Sequence, residues 1–348
     1  MSVKQALIVA NHERVFPTAT PRRAVASAGA QAAVPTVNTQ PASPARPTPG
    51  SSPTPTATPR PLQTTLNFLL LGTDKRHAKD KLWRTDSIMV VALDRTNKRI
   101  AAVSIPRDTQ VDVPNFGKRR INTVDYLGEV NKYPGGGPAL LGRTLEENFG
   151  IPIHRWVRMD PAGFVHIVDA LGGVDIHLDC PLHELVPSAS DLEKLESFDL
   201  PAGDHHLDGA TAERFIRFRY VSGDWGRARR QQQLLVALRQ RALQLNILPK
   251  LPELWRAWRD TFTTDITLKE VLELAPLALQ IRADDLHGIV IGPNLTKPGR
   301  HSLLVPQYDK IEKALDRIFE TKPVRPGDSE NSRRCPPTPT PTATPGRS

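Results

Sequence analysis

The sequence contains no long hydrophobic run, and this absence limits how the protein could enter a membrane. The apolar stretch nearest its start covers only residues 6–10, and charged side chains follow from His12 onward. Such a stretch is too short for the core of a signal peptide and far too short to span a bilayer. We therefore expect either that export does not use a standard signal or that the natural start lies upstream of Met1.

Cysteines and the motifs of several common enzyme classes are also scarce. The two cysteines, Cys180 and Cys335, can pair or remain free thiols, so they do not identify a cellular compartment. The sequence has no Walker loop, no strand-linked glycine fingerprint for dinucleotides, no HExxH and no GxSxG. These absences argue against the usual nucleotide-binding enzymes, a zinc protease and an ordinary α/β-hydrolase.

The positive charge of the chain is unevenly distributed. The formal charge of +9 and the pI of about 9.7 suggest a nucleic-acid or membrane-surface partner. Residues 1–64 hold six Lys or Arg and one acidic residue, and residues 323–348 hold four and two, so only +2 remains for the middle. There is also no recognition-helix pattern, zinc-finger spacing or basic strand with interleaved aromatics, and we predict no nucleic-acid partner.

Both ends are rich in proline, threonine, serine and alanine. Such segments bury too little apolar surface to offset the entropy of ordering, so we predict that residues 1–64 and 323–348 are disordered. Thr/Pro stalks act as spacers on many extracellular proteins, although composition alone fits an inert tail nearly as well. Residues 65–322 have the composition of a globular domain long enough for one large core.

The middle segment alternates predicted strands and helices. Apolar runs predict strands, the first of them buried on both faces, over residues 66–72, 87–94, 99–105, 174–178 and 288–291. Apolar runs that begin with proline or a capping residue predict helices over residues 138–150, 160–171 and 308–319, and a capping box at Thr267–Glu270 predicts another. The fold class is therefore α/β, most simply a central mixed β-sheet flanked by helices on both faces.

Charged side chains gather where the predicted strands begin or end. They are Asp74 after the first strand, Arg84 and Asp86 before the second, and Arg107 and Asp108 after the third. In open α/β sheets, ligands bind at the carboxyl ends of the strands. One Arg-Asp pair is usually a solvated surface pair, but this concentration at neighbouring strand ends favours a site.

The residue types narrow the ligand of this site. Arginine forks match phosphate and carboxylate oxygens bidentately, so several arginines indicate a multiply charged anion. Asp74 and Asp86 would repel that anion unless a cation lay between them. Mg²⁺, or Mn²⁺ in its place, binds one or two carboxylates together with phosphate oxygens. The sequence therefore predicts a pyrophosphate bound with a divalent metal ion.

Seven segments, read in order, carry a resemblance to a known family. They are NFLLLGTDKR, RTDSIMV, VSIPRDTQV, RRINTV, FVHIVDALGGVDI, LDGATAERFIRFR and DWGRARRQQQ. Together they resemble the LytR–CpsA–Psr family of cell-envelope glycopolymer transferases, over about residues 67–238. The resemblance implies a three-layer α/β/α fold at the extracellular face of the bacterial cytoplasmic membrane. It also implies transfer of an anionic glycopolymer from a polyprenyl-pyrophosphate carrier to peptidoglycan.

The resemblance further implies roles for single residues. It assigns Asp74 and Asp86 to the magnesium ion. It assigns six residues to the pyrophosphate: Arg84, Arg107, Arg217, Arg219, Arg227 and Gln231. Arg120 stands where the family usually has lysine, and we include it among the pyrophosphate ligands. The larger departure is that no N-terminal membrane helix is visible, which leaves the anchoring open.

Residues 215–233, FIRFRYVSGDWGRARRQQQ, hold most of these arginines. Asp208 can cap a helix that leads into this segment. An extended FIRFR stretch would then project Arg217 and Arg219 to the same side, because alternate residues of a strand share a face.

A second helix is predicted to follow, with Asp224 as its N-terminal cap. Helical spacing places four residues on one of its faces: Arg227, Gln231, Leu234 and Leu238. A helix N-terminus favours phosphate, so the polar end would hold the anion. The apolar continuation is either core or a groove for the polyprenyl chain, and both readings stay open. Arg229 and Arg230 point elsewhere and are predicted to be solvated.

These observations predict a magnesium-dependent phosphotransferase. Arg107 and Asp86 would help to stabilise charge on the departing lipid phosphate, and Asp108 is a candidate base for the attacking sugar hydroxyl. The expected partners are a polyprenyl-pyrophosphate-linked glycan, a peptidoglycan acceptor and the membrane surface. Two alternatives stay open: a pyrophosphatase acting on polyprenyl pyrophosphate, and a non-catalytic regulator that holds the lipid carrier.

Overall fold

The structure is a computed structural model that describes residues 60–74, 82–187, 194–219, 221–259 and 261–325. Most of the two segments predicted to be disordered lies outside these residues. Cys335 also lies outside them, so the predicted alternatives of a Cys180–Cys335 pair or two free thiols fall outside the described residues.

The described residues form fourteen strands and eight α-helices. The strands are β1 (Leu66–Thr73), β2 (Thr85–Asp94), β3 (Arg99–Ser104), β4 (Gln110–Val113), β5 (Gly117–Arg120), β6 (Arg155–Met159), β7 (Val174–Leu178), β8 (Leu182–Pro187), β9 (Leu195–Leu200), β10 (Gly203–Leu207), β11 (Phe262–Thr264), β12 (Leu286–Val290), β13 (Thr296–Pro298) and β14 (Leu304–Pro306). The helices are α1 (Val124–Val130), α2 (Gly136–Phe149), α3 (Pro161–Ala170), α4 (Gly209–Arg217), α5 (Gly223–Gln244), α6 (Leu251–Trp258), α7 (Leu268–Gln280) and α8 (Tyr308–Asp316).

Six strands form a central mixed sheet in the order β11-β6-β1-β2-β3-β12. Strand β2 is antiparallel to both β1 and β3, whereas β6 is parallel to β1 and β12 is parallel to β3. Four strands therefore end at one edge of the sheet, and β2 begins there. This topology brings the charged ends of β1 and β3 together with the start of β2, as the sequence predicts.

Helices cover both faces of this sheet. On one face, Leu69 and Leu71 of β1 belong to a core cluster that also contains Leu141 of α2 and Ile311 of α8. On the other face, α3, α4 and α5 share a second cluster, and α5 and α7 pack over Leu93 in a third. The predicted three-layer α/β/α class is confirmed.

Local signals set several element boundaries. The capping box of α7 is present as predicted, since the Thr267 hydroxyl accepts from the Glu270 amide and the Glu270 carboxylate accepts from the Thr267 amide. The prediction that β1 is buried on both faces holds only in part. Its residues alternate between fully and partly buried, and on the partly buried face Leu70 and Gly72 line a cavity. The predicted helix over 308–319 ends at Asp316, and a separate 3₁₀ turn follows.

Candidate active site

A cavity of about 320 Å³ lies beneath the charged edge of the sheet, between β1, β2 and β6 and the helices α3, α4 and α5. Five of the ten residues predicted for the site line its polar part: Asp74, Asp86, Arg217, Arg227 and Gln231. The other five are Arg84, Arg107, Asp108, Arg120 and Arg219, which are not among its lining residues. Ion pairs connect four of these five to the cavity, as described below.

A β-bulge places Asp86 at the mouth of the cavity. Gly72 pairs with Ser87 and Thr73 pairs with Thr85, so Asp86 is an extra residue between two paired positions of β2. A bulge redirects a side chain out of the regular alternation of a strand. Asp86 and Ser87 consequently both line the cavity, although consecutive residues of a regular strand face opposite sides.

The two predicted metal ligands differ in their partners. Asp86 Oδ2 accepts a hydrogen bond from Arg107 Nη1 at 2.8 Å, whereas Asp86 Oδ1 is buried and receives no hydrogen bond from the described residues. Asp74 is exposed at the end of β1, and its Oδ1 accepts from the backbone N–H of Arg84 at 2.5 Å. The Arg84 guanidinium bonds to the carbonyl oxygen of Trp83 at 3.1 Å.

Arg107 stands at the centre of a network of three carboxylates. Besides Asp86, its Nε lies 3.8 Å from Asp108 Oδ2 and 4.0 Å from Asp224 Oδ1. Burial alone would lower the pKa of Arg107, but the attraction of the three carboxylates raises it overall. Both remaining contacts of Nε are too long for hydrogen bonds, so this buried N–H has no partner among the described residues.

Arg120 joins the network through Asp108. Its Nη1 donates to Asp108 Oδ1 at 2.8 Å, and its Nη2 donates to the carbonyl oxygen of His301 at 2.8 Å. His301 has a φ of 55°, a left-handed conformation that a non-glycine residue adopts at a cost. Arg120 therefore fixes Asp108 and reaches the loop between β13 and β14.

Asp224 is a site residue that the sequence reading missed. The prediction made it a helix cap, but Ser222 occupies the N-cap of α5 and Asp224 lies inside the first turn. Its carboxylate accepts from Arg219 Nη1 at 3.1 Å and lies 2.7 Å from Arg227 Nη2. The spacing of three residues between Asp224 and Arg227 is the sequence signal for this pair.

Arg227 is the most buried arginine of the cavity, with 6% of its surface exposed. Its Nη2 also donates to the backbone carbonyl of Asp86 at 3.1 Å, which ties α5 to the bulge. Burial lowers the pKa of Arg227, and Asp224 and Asp86 oppose that effect. A cation held in this way attracts an anion strongly, because little water screens it.

The prediction that FIRFR is extended is wrong at its first arginine. Helix α4, capped by Asp208 as predicted, continues through Arg217. Arg217 Nη1 contacts Glu213 Oε1 of the same helix at 2.6 Å and lines the cavity, whereas Arg219 follows the helix and contacts Asp224. The two arginines therefore reach the site from different backbone conformations.

The prediction that Arg230 is solvated is also wrong. Arg230 is 6% exposed, and its guanidinium donates to the carbonyl oxygens of Phe215 and Phe218 and to the Ser222 hydroxyl. It also lies 3.4 Å from the buried carboxylate of Glu184 on β8. Burial lowers the pKa of Arg230 to about 10 despite the attraction of Glu184.

Glu184 completes this anchor from the other side. Its two carboxylate oxygens accept from the backbone N–H groups of Val221 and Ser222, each at 3.0 Å. Glu184 and Arg230 thus hold both ends of the loop that carries Arg219.

Comparison with known proteins identifies the family of the chain. The family model LytR_cpsA_psr matches residues 34–317. The chain belongs to the LytR_cpsA_psr family.

Individual relatives agree with this assignment. The chain is 34% identical to Regulatory protein MsrR of Staphylococcus aureus over 58% of this chain and 56% of that protein. It is 30% identical to the Polyisoprenyl-teichoic acid--peptidoglycan teichoic acid transferase TagU of Oceanobacillus iheyensis over 60% of this chain and 61% of that protein. The matches therefore span less than two thirds of the length of these relatives.

Solved structures share the fold. TagV of B. subtilis is 26% identical, with a TM-score of 0.58 over 75% of this chain and 99% of that one. The LytR-CPS2A-psr family protein YwtF (TagT) with bound octaprenyl pyrophosphate lipid is 21% identical, with a TM-score of 0.51 over 75% of this chain and 92% of that one.

In this LytR_cpsA_psr chain, the apolar part of the cavity continues inward from the arginines. Gln231 stands at the boundary, where its Oε1 accepts from the Ser87 hydroxyl at 3.0 Å. Beyond it the walls are apolar and include Leu70, Met89, Met159, Phe164, Leu234 and Leu238. The predicted face of α5 therefore lines the cavity, and Leu234 also belongs to the buried cluster that α3, α4 and α5 share.

The described residues contain neither a candidate membrane span nor a multi-residue metal cluster. None of the helices in these ranges is long and apolar enough to cross a membrane. No group of three or more His, Cys, Asp or Glu side chains in the same ranges is arranged to hold a metal ion.

Proposed function

We propose that this chain is a phosphotransferase that moves a glycopolymer from a polyprenyl-pyrophosphate carrier to peptidoglycan at the extracellular face of the cytoplasmic membrane. One observation carries the proposal: a single cavity joins an apolar interior to a mouth with Asp86, Arg217 and Arg227. A polyprenyl chain matches the interior, and a pyrophosphate matches the mouth. The names of TagU and of the TagT complex with octaprenyl pyrophosphate agree with this ligand class.

The residues at the mouth fit a divalent metal ion that needs few protein ligands. Asp86 Oδ1 is buried without a hydrogen bond, and Asp74 lines the same cavity. Two carboxylates do not form a closed protein cage, but Mg²⁺ or Mn²⁺ completes its shell with phosphate oxygens and water. When bound by Asp74 and Asp86, such an ion would neutralise charge that develops on the pyrophosphate oxygens.

The chain's own groups supply the remaining chemistry. The acceptor hydroxyl attacks the phosphorus that carries the glycan, the bond from that phosphorus to the bridging oxygen breaks, and the polyprenyl monophosphate leaves. Arg107 and Arg227 stabilise the charge on the phosphate oxygens from fixed positions. Asp108, held by Arg120, is the carboxylate that we assign to take the hydroxyl proton.

Incubation with a lipid-linked glycan, peptidoglycan and Mg²⁺ tests the reaction. We expect a glycan–peptidoglycan phosphodiester and free polyprenyl monophosphate. Release of the monophosphate without any conjugate would identify a pyrophosphatase, and intact lipid would identify a binding protein. Asp86→Asn should abolish transfer, whereas Asp309→Asn, an exposed carboxylate on α8, should not.

A further inference from the structure

A buried ion pair lies next to the segment that carries Arg84 and Asp86. Asp125 of α1 is fully buried, and its Oδ1 accepts a hydrogen bond from Arg158 Nη1 of β6 at 2.9 Å. The same Nη1 donates to Glu129 Oε1, also at 2.9 Å. The proposed transfer reaction, as described so far, assigns no role to Asp125 or Arg158.

The first turn of α2 packs directly against this ion pair. A Cβ atom on Gly137 would lie 2.1 Å from Asp125 Oδ1, so the absence of a side chain at Gly137 permits this approach. The backbone N–H of Gly137 donates to Glu129 Oε1 at 3.2 Å. Burial raises the pKa of Asp125 to about 6, although Arg158 and the Thr85 hydroxyl oppose that rise. The carboxylate is therefore buried at a cost in free energy, and a buried ion pair is weak evidence for a role in stability.

Asp125 and Arg158 hold the start of β2 at two points. Asp125 Oδ2 accepts from the hydroxyl of Thr85, which is fully buried, at 3.1 Å. The Arg158 guanidinium carbon lies 5.4 Å from the centre of a Trp83 ring, within the range of a cation–π contact. Because Trp83 and Thr85 flank Arg84, the ion pair fixes the backbone on both sides of that residue.

Both predicted metal ligands depend on this short segment. Asp86 follows Thr85 directly and is the extra residue of the bulge in β2. Asp74 Oδ1 accepts from the backbone N–H of Arg84 at 2.5 Å. A shift of the backbone at Thr85 would therefore move the Asp86 carboxylate and the N–H group that holds Asp74.

We propose that Asp125 is a positioning residue, which acts through the Thr85 hydroxyl to hold the two predicted metal ligands in place. This inference rests on the proposed function, because that function assigns the metal ion to Asp74 and Asp86. Groups that orient the direct ligands of a metal ion set its affinity, and their loss typically costs about ten- to a hundredfold.

Paired changes at Thr85 test this role. Thr85→Val keeps the shape of the side chain but removes the hydroxyl, whereas Thr85→Ser keeps the hydroxyl. Equilibrium dialysis of the full chain against equal concentrations of Mn²⁺ and inorganic pyrophosphate measures the affinity from the Mn²⁺ retained with the protein. We expect the Kd to rise about tenfold in Thr85→Val and to stay near that of the unmodified protein in Thr85→Ser.

Thr144→Val is the matched control. Thr144 is also fully buried, and its hydroxyl also donates one hydrogen bond, to the carbonyl oxygen of Leu140 at 2.8 Å within α2. We expect this variant to bind Mn²⁺ and pyrophosphate as the unmodified protein does, with melting temperatures recorded to confirm that each variant folds. An equal rise in Kd in Thr144→Val or in Thr85→Ser would mean that general destabilisation explains the effect, and would overturn the inference.

A double-mutant cycle connects the effect to Asp125. Asp125→Ala and Thr85→Val remove the same hydrogen bond, so the double variant should bind Mn²⁺ and pyrophosphate no more weakly than Asp125→Ala alone. Effects that multiply in the double variant would show that the two residues act independently, contrary to the proposal. If Asp125→Ala does not fold, the comparison of Thr85→Val with Thr85→Ser carries the test.

The transfer assay separates this inference from the proposed function. Thr85→Val should require about tenfold more Mn²⁺ for half-maximal transfer, because its carboxylates hold the ion less tightly. Binding of Mn²⁺ and pyrophosphate that depends on the Thr85 hydroxyl, without any transfer, would support the positioning role and reject the transferase. Transfer with a Mn²⁺ requirement that Thr85→Val leaves unchanged would overturn the positioning role and keep the transferase. Failure of the unmodified protein to retain Mn²⁺ would also overturn the positioning role.

Discussion

Arg230→Lys tests how Arg230 and Glu184 hold the loop that carries Arg219. The guanidinium of Arg230 donates to Phe215, Phe218 and Ser222 at once and faces Glu184 across 3.4 Å. A lysine keeps the charge but cannot reach carbonyl oxygens on several sides from one ammonium group. Each charge-assisted hydrogen bond contributes about 1.5–3 kcal/mol, so we expect a loss of about 3 kcal/mol in the free energy of unfolding.

A double-mutant cycle isolates the ion pair itself. Arg230→Met leaves the buried Glu184 carboxylate without its ion-pair partner and should lower the free energy of unfolding by about 3–5 kcal/mol. Adding Glu184→Gln removes that charge, so the double variant should be more stable than the sum of the two single changes predicts. Urea denaturation at pH 7 provides the free energies. A loss below about 0.5 kcal/mol in Arg230→Lys would contradict the buried anchor, since surface changes have effects of that size.

Three further predictions concern the site and its support. Arg217→Lys and Arg219→Lys should each weaken binding of a polyprenyl pyrophosphate about ten- to a hundredfold by calorimetry, and Arg229→Lys should not. Near-wild-type binding by the first two variants would refute the prediction that Arg217 and Arg219 bind the pyrophosphate bidentately. Asp86→Asn should reduce retention of Mn²⁺ in the presence of pyrophosphate, measured from the free-ion EPR signal, and transfer activity that resists a chelator would contradict the metal assignment. Burial, opposed by Arg158, raises the pKa of Asp125 from 3.8 to about 6, so the folded state holds this proton over a wider pH range than the unfolded state does. Stability should therefore fall by about 2 kcal/mol as the pH rises from about 4 to about 6, and Asp125→Asn should flatten that profile in denaturation experiments.

Patterns that depend on nearby residues could be predicted from the sequence. Apolar runs located four of the six strands of the central sheet, β1, β2, β3 and β12, because buried strands need continuous apolar side chains, but they did not locate β6 or β11. The face of α5 followed from helical spacing, and Leu234 and Leu238 do lie on one side of it. The charged residues at the strand ends pointed to the right edge of the sheet because strand ends in open α/β sheets collect ligands.

Features that depend on distant residues were missed. Arg230 was predicted to be solvated because its partners, Glu184 and the end of α4, are brought to it only by tertiary packing. Asp224 was assigned to a cap because its arginine partners include Arg107, which is more than a hundred residues away. Local propensity also misled the reading of FIRFR, where the favourable position of Arg217 at a helix C-terminus extends α4.

The bulge in β2 also has a consequence for the design of stabilised variants. Without Asp86, the pairing of Gly72 with Ser87 and of Thr73 with Thr85 would join into an uninterrupted ladder. Such a chain would lose a buried oxygen that has no hydrogen bond, and with it a destabilising feature. On stability alone, that deletion would be favourable. The extra residue instead supplies a carboxylate at the mouth of the cavity, so stabilising designs of this domain should leave residue 86 in place.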